Sequence, residues 1–188
     1  MKWVKLGALA VVGFLALAVV VLLILGRRES AGRLQGAIEI DRPPSEVFAW
    51  ITQKDKLTRW VGWLVDVREN GPLGKGARRV WVMDDPNMKQ TIEIIADVEA
   101  YDPPRGLRLH TSMAGGFDGT NTYTLVDLGQ GRTRLEADSR FQFQHWVVRL
   151  LKPIVAHQAR RKMHNDLARL KSLAEAEPRL AHRPESGS

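Results

Sequence analysis

The apolar positions of this chain change period three times. From Leu6 to Gly26 they run unbroken, 21 residues without a charge and rich in Leu, Val and Ala. As a helix this run is about 31 Å long, against a bilayer hydrocarbon core of about 30 Å. Lys2 and Lys5 precede it, Arg27 and Arg28 follow it, and Trp3 sits where interfacial aromatics belong. The pattern predicts one transmembrane anchor over residues 1–26. A cleaved secretory signal is the competing reading. Its apolar stretch is usually about 7–15 residues and ends in small residues, whereas Arg27, Arg28 and Glu29 follow this one directly. The positive charges on the two flanks nearly balance, so orientation stays open.

After a short polar linker (residues 27–32) the period falls to two. Leu34, Gly36, Ile38 and Ile40 alternate with Gln35, Glu39 and Asp41, a half-buried strand. Pro43-Pro44 ends it and opens a short helix with Val47, Phe48 and Ile51 inward. A second short helix, from Asp55 to Val61, turns Leu57, Trp60 and Val61 inward. Strands are then expected over Trp63–Arg68, residues 76–83, 90–101, 107–113, 118–128 and 132–143, separated by turns rich in Gly and Pro. In the first of these, Trp63, Val65 and Val67 share a face. From residue 146 the period lengthens to that of a helix, with a stripe of Leu151, Val155, Ala159, Met163, Leu167, Leu170 and Ala174. The folded domain is therefore expected over residues 33–175. Residues 176–188 are aperiodic and are expected to form a disordered tail. Strands this dense and sequential imply an antiparallel sheet with one wet face.

Composition narrows the chemistry. The 188 residues are 44% hydrophobic and 26% charged, an ordinary globular balance. There is no cysteine, so thiolate catalysis and Cys-ligated zinc are excluded. The net charge of +7 sits at the two ends: residues 27–144 carry 17 basic and 17 acidic residues, while residues 145–188 carry nine and four. A nucleic-acid binder is expected to carry a basic stripe across its domain, so no nucleic-acid partner is expected. The five histidines form no HxxxH or HExxH pattern, and no metal or cofactor is expected. His110 alternates with Leu109 and Thr111 and should point away from the core. No G-x-S-x-G elbow is present.

The order strand, two short helices, six strands and one long helix over residues 33–175 resembles the helix-grip fold of the START/Bet v 1-like (SRPBCC) superfamily, in particular its polyketide cyclase/dehydrase and lipid-transport branch. Residues 38–48 (IEIDRPPSEVF) look like that family's first strand running through Pro-Pro into its first helix. Trp60 looks like its Trp at the end of the second short helix. Residues 98–107 (VEAYDPPRGL) and 122–135 (TYTLVDLGQGRTRL) look like its central hairpins. The resemblance implies an α+β fold, a curved antiparallel sheet gripping the long helix. Between them it implies an elongated cavity for a lipid, polyketide, sterol, quinone or other hydrophobic ligand. It carries no universal catalytic motif. An N-terminal anchor is an addition found in some bacterial members, which implies a single-pass protein of the bacterial inner membrane.

On that fold, Ile94, Leu109, Tyr123, Leu125, Leu135 and Phe141 face Met163 and Leu167, and these are the candidate ligand-binding residues. Tyr123 and Ser139 are the polar exceptions on faces otherwise read as apolar, so no catalytic residue is assigned. The expected function is reversible binding of a hydrophobic small molecule or lipid by a membrane-anchored domain. The alternatives are a cyclase/dehydratase-like enzyme, which needs an acid or base inside the cavity, and a protein-interaction domain like the chaperone-activating relatives, which a filled cavity favours. His157, Arg160, Arg161, His164 and Lys171 are expected on a basic outer helix face that meets anionic lipid.

Overall fold

The structure, a computed structural model, describes residues 32–84, 91–144 and 152–178. The apolar run Leu6–Gly26 lies outside the described residues. Among those described, no helix is long and apolar enough to cross a membrane.

Seven strands form one antiparallel sheet: β1 (Arg33–Ile40), β2 (Leu64–Glu69), β3 (Arg78–Met83), β4 (Ile92–Asp102), β5 (Gly106–Met113), β6 (Phe117–Gly129) and β7 (Arg132–Phe143). Their spatial order is β1-β7-β6-β5-β4-β3-β2. Each strand from β2 to β7 lies beside its sequence neighbour. The first strand crosses to the far edge and pairs with the last, Ile38 opposite Leu135 and Leu34 opposite Ser139. Two short helices, α1 (Pro44–Thr52) and α2 (Lys54–Trp60), connect the opposite edges β1 and β2. The long helix α3 (Lys152–Ala176) packs on the same face, against β1 and α2. This is the α+β, helix-grip arrangement.

Pattern and packing agree along most of the chain. The inner positions of β4, Ala96 and Val98, and of β7, Leu135, Ala137 and Ser139, are buried. On α3 the stripe Leu167, Leu170 and Ala174 is buried. Gly36 is where the helix comes closest to β1: a Cβ there would stand 2.9 Å from Leu167 Cδ1 and 3.3 Å from Met163 Sδ. Between β1 and α1, the chain turns through Arg42. Its guanidinium donates to the backbone oxygens of Glu175 (2.6 Å) and Glu177, closing the C-terminal end of α3. Lys56 donates to the Glu177 carboxylate at 2.5 Å. The chain is thus held through Glu177, two residues past the boundary expected for the tail, and residues 179–188 lie outside the described residues.

The β2 expectation needs correction. Trp63, Val65 and Val67 do not share a face. A bulge between Leu64 and Asp66 inserts one residue into the pairing with β3. It turns Leu64 and Val67 inward together and leaves Val65 exposed. Trp63 stands just before the strand at φ 70° and is 41% exposed.

Candidate functional site

Helices α1 and α2 cover only part of the inner face. Where they lie, the core is solid. Val47, Phe48, Trp50 and Ile51 of α1 and Leu57 and Trp60 of α2 pack with Leu107, Leu109, Leu125 and Leu135 in one buried cluster. The Trp60 indole N–H donates to the Trp50 backbone oxygen at 2.8 Å, which locks the two helices together. Further along the sheet, α3 alone faces the strands. One helix contributes only a stripe, and the remaining space is a cavity of about 220 Å³ that opens to solvent.

The strands supply most of the cavity wall: Leu34 from β1, Trp81 from β3, Ile94 from β4, Tyr123 from β6 and Phe141 from β7. Met163 and Leu167 of α3 face them, and Trp60 and Val61 close one side. Phe117 and Phe141 meet edge to face, ring centroids 5.6 Å apart. Of the candidate residues, the structure thus brings Ile94, Tyr123, Phe141, Met163 and Leu167 together around the space. Leu109, Leu125 and Leu135 are instead packed in the solid core, 1%, 5% and 0% exposed. They too belong to the inner face. Period two, however, says which side of a sheet a residue takes, not whether a helix covers it.

The walls are also less uniformly apolar than expected. Thr111, Asn121 and Ser139 line the cavity on the neighbouring strands β5, β6 and β7. The Ser139 hydroxyl donates to Asn121 Oδ1 at 2.6 Å, and Asn121 Nδ2 donates to Thr111 Oγ1 at 2.8 Å. Thr111 and Asn121 are absent from the candidates, yet both are within reach of the alternation. Thr111 is two positions from Leu109 and Asn121 two from Tyr123.

A charged pair comes from α3. Asp166 and Lys162 line the cavity. Asp166 Oδ1 accepts the Gly62 backbone N–H at 3.1 Å, and Oδ2 accepts Lys162 Nζ at 2.5 Å. Lys162 Nζ also lies 5.1 Å from the Trp63 ring centroid. Gly62 makes the approach possible: a Cβ there would sit 3.0 Å from Asp166 Oδ1. The pair ties the loop between α2 and β2 to the long helix. Strand alternation could not reveal it, because both residues sit on α3.

Among the described residues, the titratable groups of the cavity wall are Tyr123, Lys162 and Asp166. Burial pushes the Tyr123 hydroxyl up to about 12, and the Asp166 charge pushes the same way. Tyr123 is therefore a neutral donor at ordinary pH. Both oxygens of Asp166 already accept hydrogen bonds. Among the described residues no group of three or more His, Asp or Glu could hold a metal ion. His110 points to the other face of the sheet and pairs with Asp118 at 3.0 Å.

A wider depression of about 780 Å³ lies on that outer face, lined by Thr120, Thr122, Thr124 and charged residues of β7. The charges of β7 answer one another, while Glu99 of β4 and Arg108 of β5 line it without an ion pair among the described residues. Arg33 pairs with Asp138, Arg134 with Glu136 at 3.0 Å, and Arg140 with Asp138 at 3.7 Å. It is a solvated sheet face, and the smaller inner cavity is the candidate site.

Solved structures share this architecture. A conserved protein from Geobacillus kaustophilus superimposes with a TM-score of 0.63 at 13% identity, over 76% of this chain and 94% of that one. TTHA0849 from Thermus thermophilus gives 0.63 at 17% identity, over 77% and 99%. Ara h 8.0201 gives 0.60 at 11% identity, over 77% and 98%. At these identities the likeness is one of fold. No curated protein matches the sequence. Residues 31–175, which span the whole of the expected domain, match the family described as polyketide cyclase / dehydrase and lipid transport. With the helix-grip architecture in place, the chain belongs to the polyketide cyclase / dehydrase and lipid transport family.

Proposed function

We propose that this protein binds one hydrophobic small molecule or lipid chain reversibly, between the sheet and α3, without catalysing a reaction on it. The observation that carries this reading is the cavity itself. Its apolar walls favour an apolar guest, and its polar side chains are neutral donors or an internally paired Lys–Asp couple. An unfilled cavity weighs against the purely protein-interacting alternative. The volume of about 220 Å³ is about seven water molecules' share of the liquid and lies below the range of about 300–1,000 Å³ common for drug-sized ligands. It suits a small ring system or a single short acyl chain, not the body of a two-chain lipid.

The domain is held at a membrane by the run Leu6–Gly26, as a single-pass protein of the bacterial inner membrane. What supports this is the length of the run and the basic residues on both flanks. On the outer side of α3, His157, Arg160, Arg161 and His164 are exposed and form the face offered to anionic lipid. Lys171 is not part of it, being turned to β1, where it donates to the Glu39 oxygen at 2.5 Å and pairs with Glu175 at 2.9 Å.

Native mass spectrometry of the full-length chain, released from membranes, tests both halves of the proposal. The expected result is an intact N-terminus and one hydrophobic molecule bound per chain, recovered unchanged after incubation. A mature chain starting near Arg33 would sink the anchor. Conversion of the bound molecule would sink the non-catalytic reading.

A further inference from the structure

We infer that the guest of this cavity presents an uncharged hydrogen-bond acceptor, a carbonyl or ether oxygen, to the Thr111–Asn121–Ser139 chain. This rests on the reading of the cavity as a ligand site. Thr111 and Ser139 are only 2% and 5% exposed, and burying polar groups costs free energy unless they are bonded. Their bonds to one another run in one direction, from the Ser139 hydroxyl to Asn121 Oδ1 and from Asn121 Nδ2 to Thr111 Oγ1. An amide nitrogen carries two hydrogens and a hydroxyl one. At Asn121 and Thr111 the chain therefore offers hydrogens, namely the second Asn121 N–H and the Thr111 O–H, while the Ser139 hydroxyl already donates its own. Two more neutral donors belong to the same walls. One is the Tyr123 hydroxyl. The other is the Trp81 indole N–H, which is buried and has no partner among the described residues.

Charge complements this surplus of donors. Among the described residues, Lys162 and Asp166 are the charged residues of the cavity wall, and they neutralise each other at 2.5 Å. A carboxylate or phosphate guest would bring a charge for which no unpaired cation waits among the described residues of the wall, at a desolvation cost. A pure hydrocarbon would leave the donors unanswered. A neutral acceptor meets both conditions.

Three naphthalenes of similar size distinguish these cases on the full-length protein: 2-acetylnaphthalene, 2-ethylnaphthalene and 2-naphthoate, titrated by fluorescence. The ketone is expected to bind about 2- to 10-fold tighter than the hydrocarbon, the equilibrium worth of one neutral hydrogen bond, and tighter than the carboxylate. Asn121→Leu should erase the preference for the ketone and leave hydrocarbon binding intact. Thr111→Val, nearly isosteric, should diminish the preference and guards against a folding defect in the first variant. Equal binding of ketone and hydrocarbon to the unmodified protein overturns this inference while the cavity reading stands. Tightest binding of 2-naphthoate overturns it as well. Failure of all three to bind up to their solubility overturns the cavity reading itself.

Discussion

Tyr123 and Arg42 show how much a single side chain takes from its surroundings. The Tyr123 hydroxyl is pushed up to about 12 from 10 by burial and, secondarily, by the Asp166 charge. In the unfolded chain it ionises near 10. Between about pH 10 and 12 the unfolded state therefore binds fewer protons than the folded one, and stability falls as pH rises through that window. The loss approaches about 2–3 kcal/mol at its upper end. Urea unfolding at pH 9, 10 and 11 should show a steeper decline for the unmodified protein than for Tyr123→Phe. Parallel declines would remove Tyr123 as the cause. Arg42 is buried, pairs with Glu46 at 3.3 Å and satisfies carbonyls at the end of a helix more than 130 residues away. Arg42→Met would leave those carbonyls and Glu46 without their partner. The expected cost is about 2–3 kcal/mol, read as a fall in Tm of roughly 4–12 °C. An unchanged Tm would show that water replaces the guanidinium at no cost.

Among the elements, α3 has two opposed faces. Leu167, Leu170 and Ala174 are buried while His157, Arg160, Arg161 and His164 face solvent. Each basic group near an anionic surface contributes about 1 kcal/mol. Residues 27–188 should therefore co-sediment with anionic vesicles at low salt. Arg160→Glu with Arg161→Glu should abolish the difference between anionic and neutral vesicles. Equal binding of the unmodified segment to both vesicle types would remove the lipid role of this face. Strand β2 shows how an element departs from its pattern. The two-residue period puts Trp63, Val65 and Val67 together, and one inserted residue reverses the phase between Leu64 and Val67. A bulge leaves no mark in an alternating sequence, because the extra residue keeps the polar or apolar character of a strand residue.

Across the whole molecule, the inner face divides into a filled half and a hollow half, and mutations should sort accordingly. Leu135→Ala removes a side chain fully enclosed by α1 and the sheet core, at an expected cost of about 2–5 kcal/mol. Phe141 is half-buried at the open cavity, so Phe141→Ala should cost clearly less and should admit bulkier naphthalene probes. Denaturant midpoints and probe titrations of the two variants decide it. Equal losses of stability would mean that the cavity is closed and packed in solution.

The sequence by itself determined the order of the elements, the inward face of nearly every strand and the stripe of α3, because those follow from local periods of 2 and 3.6. It also carried the family likeness in residues 38–48, 98–107 and 122–135. Only the tertiary structure decided which inward residues enclose a space. Leu109, Leu125 and Leu135 have the same alternation as Ile94, Tyr123 and Phe141, but the first three lie in the packed core with α1 and α2 while the others line the cavity. The polar chain of Thr111, Asn121 and Ser139 arises from strand register, which sets Asn121 opposite Ser139 and Leu109. The Asp166–Gly62 contact and the Arg42 cap join residues more than 100 positions apart. Such pairings depend on where whole elements come to rest, and that is set by the summed packing of the core, to which no short stretch of sequence corresponds.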